Sequence, residues 1–147
     1  MNIDESWIGR RSELRKMKIE QGALVQFSKV LGISDPVHLD EKAAKSAGCR
    51  NVVAPPTYGF SINLMNPSKD ISRDAMGVDI TKVLHGEQEF ENFVDICAGD
   101  EISIVTEIAD FYAKKGGALT FVVSDTSLTN QLGELCVKMR NVMVVRA

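Results

Sequence analysis

The chain has 147 residues, 44% hydrophobic and 25% charged, with a formal charge of −3 and an isoelectric point near 5.4. That length supports one hydrophobic core, and the composition is ordinary for a globular protein. Beyond the stretch from Arg10 to Lys18 there is no concentration of Lys and Arg, so nucleic acid and anionic membrane are poor partners.

Residues 10–19 read as a charged strand, with Leu14, Met17 and Ile19 as its buried contributors. Residues 20–31 place Leu24, Phe27, Val30 and Leu31 on one stripe, the spacing of an amphipathic helix that Gly32 closes. Asp40 is placed to cap a second short helix running to Ala47, with Gly48 at its end.

Pro55 and Pro56 then break regular structure, and Thr57 can start a helix to about Met65. Tyr58, Phe60, Ile62, Leu64 and Met65 leave this helix little polar face, which predicts burial. Residues 66–82 are polar and punctuated by Gly and Pro. A connection of that length is usually functional or mobile.

Residues 83–93, 101–112, 118–129 and 134–146 read as strands. Ile102, Ile104, Thr106 and Ile108 alternate with a second set, as do Val137, Met139, Met143 and Val145. Turn residues separate the strands at 98–100, 115–117 and 130–133. One long apolar helix and one antiparallel sheet bury each other most simply if the sheet wraps the helix. The expected class is therefore α+β, a five-stranded antiparallel sheet around a central buried helix.

Cys49, Cys97 and Cys136 are odd in number and match no zinc or CxxC spacing, which favours reduced thiols. No run reaches the roughly 18 apolar residues of a membrane span, and the N-terminus lacks the apolar stretch of a signal peptide. The expected location is the cytoplasm.

At 27–44, FSKVLGISDPVHLDEKAA, the chain resembles the signature of MaoC-like hydratases and dehydratases, which is an aromatic followed by Gly-Asp-x-Asn-Pro-x-His and an Ala-rich helix. Phe27, Gly32, Pro36, His38, Ala43 and Ala44 match it. NVVAPPT at 51–57, LHGEQEF at 84–90 and AGDEI at 98–102 resemble the N-terminal or small-subunit dehydratase version. The resemblance implies a single hotdog domain over 1–147. It also implies cofactor-free and metal-free chemistry between (R)-3-hydroxyacyl and trans-2-enoyl thioesters of CoA or acyl-carrier protein. Such chemistry needs a base, a proton donor and N–H groups for the enolate oxygen.

Aligned on Pro36 and His38, Ile33 stands where the family has its Asp, and Asp35 where it has Asn. Pro56 stands where full hydratases carry a Gly whose N–H reaches the thioester oxygen. His38 and Asp35 remain the candidate catalytic pair, and Ala54, Pro55, Pro56, Thr57 and Tyr58 the candidate substrate contacts. Each has a plain structural alternative: a backbone-bonded imidazole, a capping Thr57, a packed Tyr58. His85, Glu87, Glu89 and Glu91 fall on one face of a strand, where a solvated or Lys/Arg-paired row is the plainer reading than a metal site.

Three functions fit. One is the substrate-binding, degenerate half of a dehydratase that pairs with a catalytic hotdog subunit. Another is a self-sufficient homodimeric hydratase using Asp35 and His38. The third is a non-enzymatic acyl-CoA or acyl-carrier-binding module. Edge-to-edge pairing of hotdog sheets favours a dimer in each case.

Overall fold

A computed structural model describes residues 4–147. Strand β1 (Arg15–Lys18) leads into α1 (Gln21–Val30), α2 (Glu41–Ser46) and α3 (Tyr58–Met65). β2 (Val83–Asn92), β3 (Glu101–Lys114), β4 (Leu119–Thr129) and β5 (Leu135–Arg146) follow. All pairings are antiparallel, in the order β1-β3-β4-β5-β2. This is the expected α+β hotdog. No helix among the described residues is long and apolar enough to cross a membrane.

The sheet holds α3 through Tyr58, Gly59 and Ile62, all buried. Gly59 makes the approach close: a Cβ there would come within 3.1 Å of Leu128 Cδ1 and Met139 Sδ. The helix is not buried all round as its composition predicts, since Leu64 is 67% exposed and Met65 is exposed too. Its sheet-facing side alone joins the first core, with Ile19, Leu24, Val52, Ile102, Ile104 and Leu128.

Residues 66–82 are neither loose nor polar in effect. Ile71, Met76 and Val78 fold over the other half of the sheet and build a second core with Trp7, Ile108, Val122 and Val145. Glu13 anchors the stretch, accepting from Ser68 Oγ at 2.7 Å and Lys69 N at 2.9 Å.

Three local expectations need correction. In β1 the strand period sends Met17 and Ile19 inward, so Arg15 turns in with them and Leu14, 61% exposed, turns out. In α1, Leu24 is buried while Val30 and Leu31 are exposed, because the buried stripe continues through Ser28, whose hydroxyl donates to Leu24 O at 2.8 Å. In β2 a bulge at Gly86 breaks the row of four. His85 pairs with Met143 and Glu87 with Val142, so His85 faces α3 and the three glutamates face away. Gly86 lets the neighbouring strand come close: a Cβ would meet Val144 Cγ2 at 2.8 Å and Val142 O at 2.9 Å.

Candidate active site

The segment 52–54 is the frame of the site. Its backbone is gripped from both sides: Val53 N donates to Val37 O, Ala54 N to Ile96 O, and Ala98 N to Val52 O, at 2.8 to 3.0 Å. The 96–98 turn is itself latched by Asp100, a carboxylate only 1% exposed. Asp100 accepts from Cys97 N at 2.8 Å, Gln131 Nε2 at 3.0 Å and both terminal nitrogens of Arg50. Burial alone would raise its pKa, but the hydrogen bonds from Arg50, the Cys97 N–H and Gln131 outweigh it and hold the carboxyl below the usual range.

His38 ends a 3-10 turn over Pro36–His38. Its Nδ1 lies 2.7 Å from Val53 O. A carbonyl only accepts, so Nδ1 carries the proton, and in the neutral ring Nε2 is left as a lone-pair base. Asp35 does something else. Its Oδ1 accepts from Val37 N at 3.1 Å and caps the turn that presents His38.

His38, Ala54, Pro55 and Pro56 come together in the lining of one cavity of about 190 Å³. Gly59, Val137 and residues 92–96 complete it. Asp35, Thr57 and Tyr58 are not in that lining. Thr57 occupies the N-cap position of α3 without a side-chain cap bond. Tyr58 packs in the first core, edge-on to Phe27 at 5.1 Å, and its hydroxyl finds no partner among the described residues. Burial pushes its phenol up.

At the start of α3, Ala54's N–H is engaged by Ile96 O, and Pro55 and Pro56 have none. Thr57 supplies the first remaining N–H of this turn. The end of β2 at Asn92 and the loop Phe93 to Asp95 that follows it are not among the expected site residues, although Phe93 and Val94 are apolar and exposed beside the cavity. That exposed pair within ENFVD was the available signal. Among the described residues, no group of three His, Cys, Asp or Glu side chains is placed to hold a metal ion. His85 instead meets Phe60 edge-on at 5.6 Å.

Residues 6–139 match the family model described as FAS1-like, dehydratase domain region. The chain belongs to that family. Its fold is that of the MaoC-like hotdog proteins. A UPF0336 protein of Saccharopolyspora erythraea is 29% identical over 147 residues, covering 99% of this chain and 93% of that one. The C-terminally truncated HadBC complex of Mycobacterium tuberculosis, a 3R-hydroxyacyl-ACP dehydratase, superposes with a TM-score of 0.80 at 20% identity, over 98% of this chain and 99% of that one. A solved MaoC-like dehydratase gives 0.83 at 22% identity, over 97% of this chain but 43% of its own.

Proposed function

We propose that the chain is the substrate-holding half of an acyl-thioester hydratase/dehydratase, working with a catalytic hotdog partner on (R)-3-hydroxyacyl and trans-2-enoyl thioesters of CoA or acyl-carrier protein. The observation that carries this reading is what the His38 cavity lacks. Dehydration removes a proton from the α-carbon and expels the 3-hydroxyl as water, so it needs a base, a donor for the leaving oxygen, and N–H groups at the thioester carbonyl. Here one imidazole nitrogen is free to act, Ile33 brings no proton, and Pro56 brings no N–H. Losing one such N–H donor typically costs about two to three orders of magnitude in rate.

His38, Ala54, Pro55 and Pro56 in this reading contact the thioester end, while Thr57 starts α3 without a side-chain cap bond and Tyr58 packs. The similarity to HadBC, whose two subunits form one dehydratase complex, supports a hotdog partner here as well. A cytoplasmic location goes with that role.

A self-sufficient homodimer using Asp35 and His38 has one observation in its favour, the orientation of His38 by Val53 O. The capping role of Asp35 speaks against it.

The test is hydration of crotonyl-CoA by the purified chain, alone and mixed with a hotdog subunit carrying an intact Gly-Asp-x-Asn-Pro-x-His motif. Activity only in the mixture is the expected result. Turnover by the chain alone, abolished in His38→Ala, establishes the homodimer instead. Tight thioester binding without turnover in either sample means a binding module.

A further inference from the structure

The sheet face that holds α3 is not apolar throughout. Between the two cores a polar row crosses all five strands. It runs from Arg15 on β1 through Thr106 on β3, Ser124 and Thr126 on β4 and Asn141 on β5 to Gln88 on β2. The register sets them abreast: Thr106 opposite Thr126, Ser124 opposite Asn141, Asn141 opposite Gln88. Hydrogen bonds join the row at three places. Arg15 Nη2 donates to Thr106 Oγ1 at 2.8 Å, the Thr106 and Thr126 hydroxyls lie 2.9 Å apart, and Asn141 Nδ2 donates to Gln88 Oε1 at 3.2 Å.

Arg15 is the anomaly in this row. It is 6% exposed, and no carboxylate among the described residues bonds to it. Its Nη1 donates to Asn63 Oδ1 at 3.2 Å and to Asn66 O, while its Nε finds no partner among the described residues. Glu13 attracts it through space, but the Glu13 oxygens are engaged by Ser68 and Lys69. A guanidinium stays charged, and buried charges are ordinarily paired.

Arg15, Thr106, Ser124 and Asn141 line a cavity of about 790 Å³, within the range of small-molecule sites. Leu64, Ile71, Met76, Ile108, Val122 and Met143 give it an apolar wall, while Asn63, Asn66 and the 68–74 stretch, with Lys69, Arg73 and Asp74, make its other side polar. A second cavity of about 250 Å³ shares Asn63, Leu64, Ser124, Asn141 and Met143, so space continues along α3 towards His85 and Gln88.

We propose that this cavity takes an aliphatic chain ending in a carboxylate, with the carboxylate on Arg15 and the methylenes along the second core. The carboxylate has two conceivable sources, the far end of a dicarboxylic acyl thioester or a free fatty acid. The first source rests on the function proposed above; the second does not.

Calorimetric titration with decanoate and with 1-decanol tests the shared chemistry. Hydrogen bonds to a charged group predict that decanoate binds about tenfold or more tighter. Arg15→Met should erase that preference while leaving decanol binding unchanged, and Arg15→Lys should keep part of it. Equal binding of the two ligands by the unmodified chain overturns the proposal even if the variants fail to fold. So does a preference that survives in a folded Arg15→Met.

A second arm compares ω-carboxy and plain enoyl-CoA of equal length in the assembly with the partner. An Arg15-dependent preference for the carboxylated substrate assigns the site to the acyl chain. Decanoate binding without such a preference assigns it to free fatty acid. An assembly that turns over neither substrate, while decanoate still binds, sinks the dehydratase reading and leaves this one standing.

Discussion

Asp100→Ala should loosen the frame on which His38 is held. The wild-type carboxylate satisfies the buried Cys97 N–H, Gln131 and Arg50 at once. Orphaning a buried N–H costs about 1–3 kcal/mol. Arg50 is 42% exposed on its side chain and can turn to water, so its share falls toward the surface-pair range of about 0–1 kcal/mol. Together these give about 1–4 kcal/mol, or a fall in Tm of roughly 3–15 °C for a chain of this size.

Asp100→Asn keeps one oxygen for the Cys97 N–H and should lie between. The Asp100 carboxyl is held below its ordinary value of 3.8 when folded, so its contribution is full above that value and disappears as pH falls through the lower, folded value. Urea denaturation at pH 7 and in acid reads both effects. A change within about 0.5 kcal/mol for Asp100→Ala, or an Asn variant no better than Ala, would refute the reasoning.

Gly86→Ala should destabilise by about 1–3 kcal/mol in the same assay, because the new Cβ meets the Val142 backbone oxygen at 2.9 Å. Gly59→Ala, opposed only by flexible ends of Leu128 and Met139, should stay within about 1.5 kcal/mol of wild type. The Glu13 carboxyl is pulled from 4.5 to about 2, chiefly by the Lys69 N–H and the Ser68 hydroxyl, so its stabilisation is present above 4.5 and lost as pH falls towards 2. Glu13→Gln should therefore flatten the acid limb of a stability-against-pH curve; an unchanged limb counts against the anchor. Ile33→Asp combined with Pro56→Gly should give the unaided chain crotonyl-CoA hydration at about 100-fold or more over background. No gain in a folded double variant would mean that more than these two positions has been lost.

The strands were legible because period two is a strong signal over eleven or more residues, and β3 to β5 fall within two residues of their expected bounds. Capping by Asp40 was legible for the same local reason, since its carboxylate reaches Ala43 N at 2.7 Å. What could not be read locally was which apolar side chains find a partner. Val30 and Leu64 continue helical stripes that stay exposed, whereas Ile71 and Met76, scattered in a polar stretch, close a core with Trp7 some sixty residues away in sequence. His38 could be found from its motif. The ring's tautomer could not, because it depends on a carbonyl fifteen residues downstream.

Thr106 illustrates the deeper difficulty. In an alternating pattern it passes for another β-branched core residue, and it is indeed buried. Its hydroxyl becomes informative only once the register places Thr126 across from it and Arg15 beside it. A sheet selected for stability alone would carry Val at both threonine positions and an aliphatic residue at 15, joining the two cores into one. Replacing a buried polar network by well-packed apolar side chains is often neutral or stabilising. Arg15→Met, Thr106→Val and Thr126→Val together should accordingly hold or raise Tm while removing carboxylate selectivity. A large loss of stability instead would mean that the row is structural, and that Arg15 is there to hold Asn63 and Asn66 rather than a ligand.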